Sequence, residues 1–143
     1  MGNRHTRFLL VEDNNAHARL VTLQLSDPQA GVIVDRVSDG SEALDYLYRR
    51  EPYTDRPRPD VILLDLKLPK VDGHQVLRLL KSDEKLKCIP VIVLTTSTAE
   101  PDKVEAYSNY ANSYVTKPFD FDEFQQMMQS LKRYWISWNQ TAA

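Results

Sequence analysis

Three carboxylates, a pair of hydroxyls and one ammonium stand at matching places along this chain. Glu12-Asp13 follows the apolar run Phe8-Leu9-Leu10-Val11, and Asp65 follows Val61-Ile62-Leu63-Leu64. Thr95-Thr96 follows Val91-Ile92-Val93-Leu94, and Lys117 follows Tyr114-Val115-Thr116. If those runs are neighbouring strands, all the polar groups meet on one rim. Carboxylates gathered there repel one another and need a counter-charge. A hard cation supplies it: Mg²⁺, with Mn²⁺ as a substitute, prefers carboxylate and water oxygens. A metal, a hydroxyl and an ammonium around a carboxylate make a socket for a phosphoryl group. A carboxylate can itself accept that group as an aspartyl phosphate, with the metal and Lys117 neutralising charge during in-line transfer. Asp65, alone at the end of its run, is the nucleophile candidate, with Thr95 and Lys117 beside it. Glu12 and Asp13 are the candidate metal ligands, Asp13 the more direct. A plainer role stays open for that pair, capping the first helix.

The elements that would position these groups read as five strands alternating with five helices. Continuous aliphatic runs such as Val61 to Leu64 suit strands covered on both faces, as in a parallel sheet. Asn14 or Asn15 caps a first helix with Ala16, Leu20 and Leu23 on one face, closed by Ser26-Asp27-Pro28. Gly31 opens a second strand over 32–37, and Ser38-Asp39-Gly40-Ser41 turns into a helix carrying Ala43, Leu44, Leu47 and Tyr48. The proline-rich residues 51–59 form a loop. A third helix spans 75–81 with Val76, Leu79 and Leu80 inward; a fourth, weakly amphipathic, spans 99–110. Residues 120–138 read as one long helix. Lys117-Pro118 reads as a trans bond that begins this helix, a cis bond being the alternative that would turn the lysine back toward the rim. This alternation implies an α/β fold: a flavodoxin-like (βα)5 three-layer sandwich with a parallel sheet in the order 2-1-3-4-5. In that order the winding reverses between strands 1 and 3, so Glu12-Asp13 and Asp65 end side by side.

Composition narrows the class. The 143 residues are 42% apolar, which suits one domain over 1–143 with its core over about 7–130. With 18 basic and 20 acidic residues the net charge is −2, so nothing points to a nucleic-acid partner. One cysteine, Cys88, permits no intrachain disulfide and agrees with a cytoplasmic location; it reads as semi-buried filler. The first seven residues lack a signal-peptide apolar region, and no run is long enough to span a membrane. His5, His17 and His74, scattered in tail, helix and turn, are expected at the surface.

The set Val11-Glu12-Asp13-Asn14, Leu63-Leu64-Asp65-Leu66, Leu68-Pro69-Lys70-Val71-Asp72-Gly73, Pro90 to Thr95 and Tyr114-Val115-Thr116-Lys117-Pro118-Phe119 resembles a response regulator receiver domain of the CheY-like type, over roughly residues 7 to 130. The resemblance implies that Asp65 takes a phosphoryl group from the phosphohistidine of a sensor histidine kinase. It implies that Glu12, Asp13, Asp65 and the backbone carbonyl of Lys67 organise Mg²⁺. Thr95 would swing its hydroxyl to the phosphoryl group, Lys117 would pair with it, and Tyr114 would turn inward as the second switch residue. Two departures stand out. Glycine is frequent before the fifth strand of such domains, whereas this chain has Asn109-Tyr110-Ala111-Asn112, where Asn109 or Asn112 can serve as the helix C-cap. Two positions after the acceptor stands Lys67, whose ammonium can alter the lifetime of the phosphate.

More narrowly, the loop from Tyr53 to Pro59, Leu94-Thr95-Thr96-Ser97 and the ending Tyr134-Trp135 are similar to stand-alone regulators paired with bacterial phytochromes. That resemblance implies a bacteriophytochrome as the kinase and a homodimer through the last strand and helix. Phe124, Met128, Leu131, Trp135 and Trp138 form one helical stripe, and its end, Tyr134, Trp135 and Trp138 in the extension over 131–143, is the expected interface. Nothing after the last helix is built to read DNA, so output would pass through protein contacts, and the chain would not be an enzyme beyond slow loss of its own phosphate. One rival is a Mg²⁺-dependent phosphatase acting through an aspartyl phosphate, as in the haloacid-dehalogenase-like family. It wants a second acid where Lys67 stands. A flavin module would need a glycine- and hydroxyl-rich loop in place of Glu12-Asp13-Asn14. A phosphorylation-independent scaffold receiver would have no use for the complete acid set.

Overall fold

The computed structural model describes residues 5–140. β1 (Thr6–Val11), β2 (Val32–Val37), β3 (Val61–Leu64), β4 (Val91–Thr95) and β5 (Ser113–Thr116) form one parallel sheet in the order β2-β1-β3-β4-β5. Between them run α1 (Asn15–Leu25), α2 (Gly40–Leu47), α3 (Gly73–Ser82) and α4 (Glu100–Ser108), and α5 (Phe121–Arg133) follows β5. All four residues of β3 are buried, as a central strand under two helical layers requires.

Alternation along the strands splits the core in two. Phe8, Leu10, Leu63, Ile92 and Leu94 face α1 and α5, where Ala18, Val21, Leu25, Phe124 and Met128 cover them. Leu9, Val11, Ile62, Leu64 and Val93 face the other way, under Tyr46, Leu47, Val76, Leu77 and Leu80. The result is a three-layer sandwich. α1, α2, α3 and α5 each start on an Asn or Asp, at 14, 39, 72 and 120, whose side chain accepts from the amide three residues on. α4 has no side-chain cap and buries only Ala106.

Several local expectations need correction. The buried face of α1 is Ala18, Val21 and Leu25; of the expected residues Leu20 packs at its edge, while Ala16 is exposed and Leu23 is 66% exposed. Small Ala18 turns to the sheet, with Val21 and Leu25 beside it in the core. In α3, Leu77 rather than Leu79 points inward, giving the contiguous face Gly73, Val76, Leu77, Leu80. Asn109 is the C-cap of α4, one of the two expected positions, but with φ −97°, and it is Tyr110, at φ 68°, that takes the left-handed conformation. Asn112 instead accepts from the Val91 amide at 2.8 Å. Cys88 is exposed. Among the described residues Glu51-Pro52 holds the one cis bond, so Lys117-Pro118 is trans.

The long last helix is not uniform. After Arg133 the winding widens into a π-helical turn, Tyr134–Trp138, closed by the Asn139 amide on the Tyr134 carbonyl at 2.6 Å. The wider turn breaks the stripe. Trp135 and Ile136 pack against the α1/α5 core, while Tyr134 and Trp138 stand out at 52% and 73% exposure.

Candidate functional site

Strand register builds the rim. Val11 pairs with Leu64, so Glu12 and Asp65 leave neighbouring strands together, and the Asp65 amide donates to the Val11 carbonyl at 3.1 Å. Thr95 pairs with Thr116, and the Lys117 amide donates to the Thr95 carbonyl at 2.7 Å. All four strands end at the carboxyl edge of the sheet, where open α/β sheets bind ligands, with β1 and β3 flanking the switch point. One carboxylate oxygen each from Glu12, Asp13 and Asp65 lies within 4.8 Å of the others. Asp13 is exposed, while Glu12 and Asp65 are buried.

Lys117 is buried as well, and its ammonium donates to Glu12 Oε1 and, at 3.2 Å, to Asp65 Oδ2. Asp65 Oδ1 accepts from the Lys67 amide at 3.2 Å, and Glu12 Oε2 from the Asn14 amide at 3.1 Å. Burial raises the Glu12 carboxyl above its usual range, although Lys117 pulls the other way. Lys117 offsets one of the three negative charges and leaves two. A hard divalent cation fits that set of carboxylate oxygens.

The switch candidates are tied to each other. Thr95 is fully buried and its Oγ1 accepts from the Ser97 amide at 3.3 Å. The Tyr114 hydroxyl donates to the Ser97 carbonyl at 3.1 Å. Ser97 Oγ donates to Asp102 Oδ2 at 2.6 Å, and His74 Nε2 meets Asp102 Oδ1 at 3.1 Å. One chain of contacts therefore runs from β4 through the start of α4 to α3 and β5. Asp13, Lys67, Asp72, His74 and Asp102 line a cavity of about 340 Å³ beside the acids.

Sequence reading missed two histidines. His17 is half-buried with Nδ1 3.1 Å from Lys117 Nζ, and His74 is 14% exposed at the side chain. One clue existed for His17: it lies one helical turn beyond Asp13. Tyr134 and Trp135 are far from this rim in the fold. They line a groove of about 730 Å³ with Cys88, Pro90, Val115 and Leu131, near the amino ends of β4 and β5.

Sheet order and rim together are those of a receiver fold. The chain matches the response regulator receiver domain over residues 8–129 and belongs to that family. It is 47% identical over 134 residues to the probable methanogenesis regulatory protein FilR2 of Methanothrix harundinacea, covering 94% of this chain and 86% of that one. It is 42% identical over 131 residues to response regulator Rcp1 of Synechocystis sp., covering 90% and 88%. A crystal structure of the Mn²⁺-bound form of Rcp1 superposes with a TM-score of 0.89, covering 96% of this chain and 99% of that one at 38% identity. The phosphorylated cyanobacterial phytochrome response regulator RcpA superposes with a TM-score of 0.94 over 98% and 100% of the two chains, at 40% identity. No described helix is long and apolar enough to cross a membrane.

Asp102 gives a pH test of the switch contacts. The Ser97 hydroxyl, then His74, hold its carboxyl below the usual range. A depressed carboxyl contributes stability above its unfolded value and loses it as pH falls through the folded one. In urea titrations Asp102→Asn is expected to unfold earlier than wild type at pH 7. The gap should hold down to about pH 5 and narrow below about pH 4. A gap independent of pH would separate Asp102 from this role.

Proposed function

We propose that this protein is a phosphorylated response regulator of a two-component system, with Asp65 as the acceptor and a sensor histidine kinase as the donor. The observation that supports it most is the single buried ammonium, Lys117, shared between Glu12 and Asp65 with Asp13 beside them. An Asp65 carboxylate oxygen bonds to phosphorus while the bond from phosphorus to the kinase's histidine nitrogen breaks, the electron pair staying on the imidazole. Lys117 turns an N–H from Asp65 to the phosphoryl oxygens as charge gathers there. A cation held by Glu12, Asp13, Asp65 and the Lys67 carbonyl, Mg²⁺ or Mn²⁺, would supply further charge neutralisation when bound. Thr95 releases the Ser97 amide to point its hydroxyl at the new group. That displaces the Ser97 carbonyl, which holds Tyr114, and Ser97 Oγ, which holds Asp102. Uncapped and thinly buried, α4 is the element with least to lose when these contacts change.

Lys67 stands where a phosphatase of this chemistry would place its acid, which favours a carrier of phosphate over an enzyme. We propose that the chain acts in the cytoplasm, through protein contacts. The resemblance to RcpA, a phytochrome response regulator, supports a phytochrome as the kinase. Incubation with Mg²⁺ and a small phosphodonor should add one phosphate to the wild-type mass and none to Asp65→Asn. Equal labelling of both would refute the assignment.

Exposed Tyr134 lines the groove along β5 and α5 and exposed Trp138 shares its π-helical turn, and exposed aromatic residues so placed suit an interface between two copies. Because Trp135 also packs into the core, the clean test is a Tyr134→Ser, Trp138→Ser double variant. It should be monomeric by light scattering where the wild type is dimeric, with an unchanged far-ultraviolet circular dichroism spectrum. A dimeric double variant would remove this interface from the reading.

A further inference from the structure

Lys117 is buried, so each of its three ammonium protons needs an acceptor inside the protein. Glu12 and Asp65 take two. The third goes to His17 Nδ1 at 3.1 Å. An ammonium has no lone pair, so Nδ1 must accept and the ring proton must sit on Nε2. His17 is not loosely placed, because its own amide donates to the Asn14 cap at 2.9 Å and fixes the first turn of α1. Burial and then the Lys117 charge lower the imidazole below its usual value, which leaves the Nδ1 lone pair free at neutral pH. Beside the pair lies a cavity of about 230 Å³, walled mainly by Leu20, Phe119, Phe121 and Phe124, which offers an ammonium proton little.

We propose that His17 is a positioning residue for phosphoryl transfer: its Nδ1 holds the Lys117 ammonium at the rim, within reach of both Asp65 and the incoming phosphoryl oxygens. This rests on the reading of Asp65 as acceptor. Without Nδ1 the ammonium has only carboxylates to bond, and the closer of them is Glu12. Nζ then draws back toward β1, away from Asp65. The loss falls on the step in which charge develops on the phosphoryl oxygens, since a donor aimed in advance is what lowers that barrier.

The test compares full-length wild type, His17→Leu and His17→Asn, with a small phosphoramidate donor and saturating Mg²⁺. Adduct formation is followed by intact mass and folding by thermal melts. Leucine keeps bulk without an acceptor, whereas asparagine puts Oδ1 where Nδ1 stood. His17→Leu should lower the maximal rate about tenfold, equivalent to one charge-assisted hydrogen bond, with the half-saturating donor concentration unchanged. His17→Asn should restore most of the rate. Independently, nitrogen-15 spectra of the metal-free wild type should show His17 as the Nε2–H tautomer. Equal rates in wild type and His17→Leu, or a proton on Nδ1, would overturn the inference alone. No adduct on wild type would overturn the acceptor reading and this inference with it.

Discussion

Replacing Lys117 by methionine is expected to lower the melting temperature of the metal-free protein by about 10 °C or more. Methionine keeps most of the volume but none of the charge. Glu12 at 1% exposure and Asp65 at 8% would then face each other without a counter-ion. Leaving a buried charge uncompensated costs about 3–5 kcal/mol. Two treatments should recover the loss selectively. Millimolar Mg²⁺ should raise the melting temperature of Lys117→Met by more than it raises that of wild type, because the cation takes over the neutralising role. Lowering the pH should do the same, since the Glu12 carboxyl already sits above its usual range and takes a proton early. Equal melting temperatures for the two proteins would mean that the three acids do not depend on this lysine.

Gly73→Ala should be damaging for a steric reason. A Cβ at residue 73 would lie 2.3 Å from the Asp65 carbonyl oxygen and 2.5 Å from the Leu66 Cα. Both are backbone atoms, so no side chain can swing aside. Either α3 moves off the sheet or the segment carrying Asp65 shifts, and the bond from the Gly73 amide to the Leu66 carbonyl at 2.8 Å goes with it. Overpacking of this kind costs about 1–3 kcal/mol. The sharper consequence is at the rim, where displaced Asp65 should bind Mg²⁺ at least about tenfold more weakly, one hydrogen bond's worth of free energy. Calorimetric titration with Mg²⁺ would check it, and an unchanged affinity would show that the acceptor segment tolerates the shift. Gly40 is held the same way, its Cβ position falling 1.7 Å from the Val71 carbonyl oxygen.

The strands and their order were legible because each is a short run of branched aliphatic residues ending on a polar group, and parallel crossovers leave few layouts. The meeting of Glu12, Asp13, Asp65 and Lys117 followed from that order, not from any one residue. Helix faces were less legible. In α1, choosing Leu23 over Val21 is an error of two positions, yet it turns the stripe by about half a turn. Nothing in the local pattern distinguishes the two without the sheet beneath. The π turn at Tyr134–Trp138 was hidden for a related reason: a constant step of three and four was assumed, and one wider turn carried Trp138 out into solvent while leaving Trp135 on the core. His17 was invisible as a partner of Lys117 because the two lie a hundred residues apart in sequence and meet only when α1 and β5 close over the same rim.

The central claim is that one oxygen of Asp65 carries the phosphoryl group. Its most direct test is to phosphorylate the wild-type protein with Mg²⁺ and a small donor, reduce the acyl phosphate with borohydride, and locate the product by tandem mass spectrometry. Reduction converts a phosphorylated aspartate to homoserine, so homoserine is expected at position 65 and nowhere else. Homoserine at position 13, or a phosphate that resists reduction because it sits on a hydroxyl or a histidine, would contradict it.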